Sequence, residues 1–378
     1  MMHYPLARPS IGKEEILAVT KTLHSGVLSL GPETTKFEKD FAKKNKTKFA
    51  VVVNSGTSGL HLVMRAAGIG PGDEVITSAF SFVASANSIM YVGAKPVFID
   101  IDPITYNLDP AKIEAAITKK TKAILVVHIF GQSAAMDPIL RIAKKYKLKI
   151  IEDACESIGA TYRGQLTGTF GESAVFAFYP NKQMTTGEGG MIVTDSQKVA
   201  GFCRSLANQG RGVNMSWLDH QYLGYNYRMD EMSAALGIVQ LKRLPVMLKK
   251  RQQIASWYHA EFAKYPDLLA FPQTAKGNTH TWFVYVVELA PNINRDQVMA
   301  QLGKEGISSK PYFPSIHLYS FYRETFGYKP GAFPIAEAKS KQTLALPFYI
   351  DLTKKDIENI SKTLLKVLKK YGTSRKRI

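Results

Sequence analysis

Cysteine is nearly absent from these 378 residues: there are two, Cys155 and Cys203. Two isolated thiols form neither a disulfide framework nor a cysteine-based metal cluster, so both read as reduced core residues and no metal site is expected. Long apolar runs are also missing. None approaches the roughly 20 residues of a membrane span, and no membrane partner is expected. The opening stretch MMHYPLARPS lacks the apolar segment and small-residue cleavage site of a secretory signal, which makes the cytoplasm the expected compartment. Internal repeats and low-complexity tracts are not seen. Acidic residues are few, 31 against 49 basic ones, giving a formal charge of +18. The excess sits in short runs: KKNKTK (43–48), KKTK (119–122), KKYKLK (144–149), LKKR (248–251) and the tail RKR (375–377). These runs hold one aromatic, Tyr146, and alternate with strand and helix signals. Solvated helix ends and turns explain them better than a nucleic-acid surface, and no nucleic-acid partner is expected. A basic field would still help to recruit a small diphosphate-bearing substrate.

What is present is an ordinary soluble composition, 45% hydrophobic and 21% charged, on a chain long enough for two domains. Residues 1–244 are expected to form a large domain and residues 245–378 a smaller one. Gly12–His24 and Thr34–Lys44 carry apolar residues near helical spacing. From Phe49 strands and helices alternate. FAVVVN (49–54), DEVITS (73–78), KPVFIDID (95–102), AILVVH (123–128) and KIIEDA (149–154) read as strands. Asp109–Ile117 and Met136–Tyr146 read as helices between them. Such βα units predict a mostly parallel sheet covered on both faces, with ligands bound at the carboxyl ends of its strands. Ser55–Ser58, Phe80, Phe82, Asp153 and Lys182 all follow strand ends and should converge on one rim. Further on come a helix (Val199–Leu206), the loop NQGRGVNMSWLDH, and a helix entered through GYNYRMDE. A helical stretch from Pro245 to about Tyr265 leads to the strand WFVYVVEL (282–289), the helix Arg295–Glu305, the extended segment ISSKPYFPSIHLY (307–319) and a closing helix, Asp356–Lys369.

The chemistry centres on AVFAFYPNKQMTTGEGGMIVT (174–194). Two strand signals flank a Thr/Gly-rich loop that carries Lys182, so this lysine lies where a sheet edge becomes a pocket floor. A lysine held there is partly desolvated and can form an imine with a carbonyl, which a solvated surface lysine does poorly. The turn SGTSG (55–59), between a strand and a helix, offers N–H groups and hydroxyls to a phosphate, although alone it reads equally as a plain helix cap. Asp153 alone is likewise balanced between ligand and cap. Together a strand-end carboxylate, a loop lysine, a phosphate cradle and an aromatic fit pyridoxal phosphate. The lysine would take the aldehyde, and the carboxylate would pair with the ring nitrogen.

NSGTSGLHL, IIEDACESIGA, FYPNKQMTTGEGGMIVT, NQGR and GYNYRMDEMSAALG, in this order, closely resemble the pyridoxal-phosphate sugar aminotransferases of the DegT/StrS type. The resemblance runs from SGVLSLGPETTKFE (25–38) to ALPFYIDLT (345–353). It implies the α/β fold of type I pyridoxal-phosphate transferases: a large domain with a mostly parallel seven-stranded sheet flanked by helices, and a smaller α+β domain. It implies that Lys182 forms the Schiff base and, once released, shuttles the proton. Asp153 would bind the pyridine nitrogen, Phe82 would stack on the ring, and Glu156 would lie beside the cofactor hydroxyl. Thr57 and Ser58 would hold the phosphate. Asn226 would reach the phosphate of a neighbouring subunit in a homodimer with shared sites. His317, Tyr312 and Arg211 would contact the substrate.

One position departs from the family pattern. Ala177 stands where a serine often binds the phosphate, a loss of about 1.5–3 kcal/mol unless Thr185 or a water compensates. The implied reaction passes an amino group from L-glutamate, through the pyridoxamine phosphate form, to a nucleotide-linked keto-sugar, yielding an amino sugar for a glycan. A sugar dehydratase of the same family would have histidine in place of Lys182. A non-catalytic regulator would be expected to carry a separate DNA-binding module, and no such module is seen.

Overall fold

The computed structural model of the chain describes residues 3–212 and 219–372. Residues 213–218, within the loop that begins NQGR, and the RKR tail lie outside the described residues. Two helices, α1 (Lys13–Ser25) and α2 (Pro32–Asn45), precede β1 (Phe49–Val53). The alternation then runs α3 (Gly56–Ala66), β2 (Glu74–Ser78), α4 (Val83–Tyr91), β3 (Lys95–Ile99), α5 (Ile113–Ala116), β4 (Thr121–Val127), α6 (Met136–Tyr146) and β5 (Lys149–Asp153). Short strands β6 (Thr161–Tyr162) and β7 (Gln165–Leu166) come before β8 (Ser173–Ala177), β9 (Gly190–Thr194) and α7 (Gln197–Ala207).

These strands build a seven-stranded sheet in the order β1-β9-β8-β5-β4-β2-β3. Pairs β2/β3, β2/β4, β4/β5 and β5/β8 are parallel, whereas β9 runs antiparallel to both β1 and β8. The middles of these strands are apolar because both faces are covered, and their polar residues gather at the ends, as Glu74, Lys95, Lys149 and Asp153 do. On one face Leu60, Leu62 and Val63 of α3 pack with Val53, Val75, Leu125 and Ile151. On the other, Met136 and Ile139 of α6 pack with Ile76, Ile124 and Val126. Helix α6 carries Asp137 in its first turn and Lys144 and Lys145 in its last, which suits the helix dipole.

The topology also gathers charge. The lysine runs at 43–48, 119–122 and 144–149 each lead into a strand of one direction, β1, β4 or β5. Their exposed lysines therefore crowd the amino edge of the sheet. The expected steering field thus lies at the edge opposite the strands' carboxyl ends, where ligands bind.

Helix α8 (Glu231–Phe262) is one 32-residue helix that runs through Pro245, so the expected division at 244/245 falls inside it. A proline inside a helix removes one backbone hydrogen bond. Packing offsets that loss: Leu241 and Leu244 bury in the large-domain core, and Ile254, Tyr258 and Phe262 in the second. Beyond it come β10 (Leu269–Ala270), β11 (Asn278–Thr279), β12 (Tyr285–Leu289), α9 (Arg295–Lys304), β13 (Lys310–Pro311), α10 (Ser320–Phe326), α11 (Pro334–Gln342), β14 (Thr343–Leu346) and α12 (Lys354–Gly372). Strands β10-β12-β14-β13 form an antiparallel sheet. Leu344 and Leu346 pack there against Ile357, Ile360 and Leu364 of α12. Tyr4 joins this second core, with its N–H donated to Gly306 O (2.8 Å) and its hydroxyl to Asp356 Oδ1 (3.1 Å). The two layers thus share the chain's first residues as well as α8.

His280 gives this junction an acid-sensitive point. Its ring stacks on Trp282, with centroids 3.8 Å apart, and its Nδ1 accepts the Trp282 N–H at 3.0 Å. Burial, with His259 nearby, pushes its pKa down to about 3. As pH falls below about 6.5 the unfolded chain takes up this proton and the folded one does not. Stability present above that pH is therefore lost towards about pH 3, at roughly 1.4 kcal/mol per pH unit. Denaturant titrations between pH 7.5 and 4.5 should show a shallower acid loss for His280→Gln than for the native chain.

Candidate active site

A cavity of about 410 Å³ opens at the carboxyl edge of the parallel strands. The turn after β1 contributes Ser55, Gly56 and Thr57, and the segment after β2 contributes Ser81 and Phe82. From β5 come Asp153, Cys155 and Glu156; from the loop after β8 come Tyr179, Asn181 and Lys182. Phe283, just before β12, and Tyr312 and Phe313, just after β13, close it from the later part of the chain. Of the residues expected on one rim, Ser55–Thr57, Phe82, Asp153 and Lys182 line this cavity, Ser58 does not, and Phe80 is buried in the core behind it.

Among the described residues that line the cavity Lys182 is the one basic side chain, and three carboxylates, Asp153, Glu156 and Glu188, line it too. The Lys182 Nζ lies 3.5 Å from Glu156 Oε1 and 3.9 Å from the centre of the Phe283 ring. A carboxylate on one side and an aromatic face on the other hold the amine in place without covering it. Glu156 Oε2 accepts the Phe130 N–H at 2.8 Å. Burial raises the Glu156 carboxyl above its ordinary range, and the Lys182 ammonium opposes that shift. Burial also raises the Tyr312 hydroxyl, with Glu156 adding to the effect.

Asp153 ends β5 almost fully buried, and both of its oxygens are engaged. Ser85 donates to Oδ2 at 2.6 Å and the Cys155 N–H to Oδ1 at 3.2 Å. Ser85 is itself 2.9 Å from Ser81 Oγ, so two serines a helical turn apart lock the carboxylate's orientation. Neither was singled out in the sequence, where their one signal is the spacing within SFVAS. Ser85→Ala should weaken binding of pyridoxamine phosphate about tenfold, measured by quenching of protein fluorescence, because an unsupported carboxylate holds its partner less well.

The cradle at α3 is built by backbone. Ser55 caps the helix, accepting the Ser58 N–H at 3.0 Å. A Cβ on Gly56 would sit 2.7 Å from the Ala177 Cβ and 3.0 Å from Cys155 Sγ, so only glycine allows this approach. Thr57 lines the cavity, but Ser58 does not. Its hydroxyl donates to Asn54 Oδ1 at 2.6 Å, and its service is to the cap. Thr185 does not replace the hydroxyl missing at Ala177. It donates to Phe178 O at 2.9 Å, accepts the Gly187 N–H at 3.0 Å, and lies outside the lining.

Of the other expected site residues, two line the cavity and three do not. Phe82 is at the mouth, 57% exposed. Tyr312 lines the wall. His317 does not: it is fully buried, with Nε2 3.0 Å from Glu337 Oε1, and is a core histidine in this chain. Arg211 forms a backbone bridge with His220, away from the lining. Asn226 is exposed and also outside the lining, between Tyr225 and Tyr227, whose rings stack 4.9 Å apart. Cys155 is a wall residue as well as a reduced thiol, and burial followed by Asp153 raises its pKa well above the usual value. Phe283 and Phe313 were not singled out in the sequence, where each reads as one more apolar residue of an extended segment.

A buried carboxylate, a poised amine, a helix N-terminus with a glycine at its start, and aromatic walls match the donor set that pyridoxal phosphate requires. Fold and site together define a pyridoxal-phosphate aminotransferase of fold type I. The profile of the DegT/DnrJ/EryC1/StrS aminotransferase family matches residues 9–365. Spore coat polysaccharide biosynthesis protein SpsC of Bacillus subtilis is 40% identical over 378 residues, covering 97% of each chain. GDP-perosamine synthase of Caulobacter vibrioides is 42% identical over 344 residues, 90% of this chain and 92% of the relative. Spr1654 of Streptococcus pneumoniae, described as a sugar aminotransferase, has been solved in pyridoxamine- and pyridoxal-phosphate forms. In the former it superposes with a TM-score of 0.93 at 28% identity, covering 98% of this chain and 99% of that one. The chain belongs to the DegT/DnrJ/EryC1/StrS family, and its cofactor is pyridoxal phosphate.

Proposed function

We propose that this sugar aminotransferase moves an amino group from L-glutamate to the ketone of a nucleotide-linked sugar, as a cytoplasmic homodimer with shared sites. The amino sugar formed would enter a polysaccharide or other glycan. The observation that carries this is the charge of the cavity. Among the described residues, one lysine and three carboxylates line a site that must accept a phosphate and a nucleotide diphosphate. Asn226 is exposed and outside the lining of its own cavity. In a homodimer it would be free to add a donor to the partner copy's cradle. The name of the GDP-perosamine synthase relative supports a nucleotide-linked substrate, and that of SpsC supports a polysaccharide product.

When bound, the cofactor supplies an aldehyde and an electron-withdrawing ring. The chain's own residues do the rest. Lys182 would hold the aldehyde carbon through its amine and, once the donor's amine has displaced it, would be the free base that moves a proton from the donor's α-carbon. Asp153 would pair with the protonated ring nitrogen. The N–H groups of Gly56 and Thr57 would hold the phosphate and so keep the reacting carbon within reach of Lys182. Phe283 and Tyr312 exclude water from that side.

The test is the purified protein loaded with pyridoxal phosphate and followed by its near-visible band. L-glutamate should bleach the band, and a nucleotide-linked 4-keto sugar should restore it with formation of an aminated product. Loss of a sugar hydroxyl without consumption of the donor would instead assign a dehydratase. A band that no amino donor bleaches would point to a regulator.

A further inference from the structure

Arg251 is the last residue of the basic run LKKR, yet α8 carries it inward until it is 4% exposed. Among the described residues its guanidinium meets no carboxylate. It is spent instead on three backbone carbonyls. Nη1 donates to Trp282 O (3.0 Å) and Phe283 O (3.2 Å), and Nη2 donates to Lys182 O (3.2 Å). The Phe348 ring lies 5.4 Å from the guanidinium carbon. Burial lowers its pKa to about 10, so the group is still a cation at neutral pH.

Burying a cation without an anion is costly, and apolar packing would join these elements more cheaply. The choice of carbonyls points to a use for the guanidinium fork. One belongs to Lys182, and another to Phe283, whose ring centre lies 3.9 Å from the Lys182 Nζ. Lys182 is thus gripped at its main chain through Arg251 and at its amine through Phe283. The two grips meet in one residue of the second domain. Three separate pieces of chain, the lysine loop, α8 and the segment before β12, are fixed relative to one another at the point from which the amine swings.

We infer that Arg251 is a positioning residue for the Lys182 amine: by tying the Lys182 carbonyl to Phe283, it fixes the pivot from which the amine reaches the cofactor's aldehyde carbon. This rests on the reading of Lys182 as the linking amine. It is independent of which sugar or donor is used. Lysine at position 251 keeps the charge but cannot span three carbonyls, and methionine removes both charge and fork.

The experiment compares two ligands on the full-length protein stripped of cofactor. Pyridoxal phosphate must condense with the Lys182 amine, releasing water. Pyridoxamine phosphate carries an amine in place of the aldehyde and binds without that bond. In Arg251→Lys and Arg251→Met, the near-visible band after addition of pyridoxal phosphate should appear about tenfold more slowly or worse. Pyridoxamine phosphate affinity, measured by fluorescence quenching, should stay within about threefold of native, because the cradle and Asp153 are untouched. Equal losses for both ligands would make Arg251 a merely structural residue and overturn the inference. Unchanged band formation in either folded variant would also overturn it. If Arg251→Met fails to fold, Arg251→Lys decides alone. If the native chain forms no band while binding pyridoxamine phosphate, the reading of Lys182 fails first, and the two failures are told apart.

Discussion

Lys182→Ala is expected to give a folded protein that binds pyridoxamine phosphate, shows no near-visible band with pyridoxal phosphate, and loses turnover by about 10⁴-fold or more. The size follows from the amine's two roles. It forms the covalent link, and it carries the proton, a role worth about 10²–10⁴-fold by itself. Steady-state transamination and an absorption spectrum read both effects on one sample. The nearby carboxyl reports the change as well. Glu156 has its pKa raised by burial and opposed by the Lys182 ammonium, so losing that ammonium pushes it further up. The variant should therefore lose stability relative to native as pH rises above the ordinary carboxyl value of about 4.5, because the buried carboxyl then has to ionise without its cation. A residual band in Lys182→Ala would mean that another amine reaches the aldehyde, and the assignment of Lys182 would fall. Mixing this variant with Asn226→Ala tests the shared site. One site of the mixed dimer would hold both Lys182 and the partner copy's Asn226, and part of the activity should return.

The sheet and the rim were legible because a parallel strand buried on both faces has a plain signature, a short apolar run, and because strand ends face the ligand. That rule put Asp153 and Lys182 on one rim, and only their combination with the SGTSG turn and an aromatic gave them roles. The direction of β9 did not follow, since GMIVT is equally apolar whichever way it runs. The continuity of α8 was hidden by Pro245, a local signal that packing against two cores overrides. Contacts between distant segments were the least visible. Ser85 reaches Asp153 across 68 residues of sequence, and Arg251 reaches Lys182 across 69. Neither residue carries a local mark: Ser85 reads as a helix serine and Arg251 as one more member of a basic run. His317 failed in the opposite sense. It stands in a segment whose neighbour Tyr312 does line the cavity, but its own ring turns into the core, to Glu337. The lysine runs show the same limit, because only the order of the strands reveals that three separate runs share one edge.

Asp153→Asn tests the electrostatic half of the site. Asparagine keeps the shape and one acceptor, so the Cys155 N–H retains a partner and Ser85 can reorient. The lost element is the negative charge facing the ring nitrogen. Without it the nitrogen gives up its proton at neutral pH, and the ring no longer withdraws the electrons left behind when Lys182 removes a proton from the donor. Turnover should fall about 10²–10³-fold, as for removal of one preorganised charge-stabilising group. The Lys182 link should still form, because the amine and aldehyde are unchanged. A cofactor analogue methylated on the ring nitrogen carries a permanent positive charge and should restore much of the rate in Asp153→Asn. In the native chain it should do the opposite, because the methyl group occupies the space that the carboxylate needs. Rates for the four combinations of chain and cofactor make the measurement. Rescue confined to the variant would establish that Asp153 acts through charge on the ring. Equal loss with both cofactors would mean that it only shapes the wall between β5 and α4.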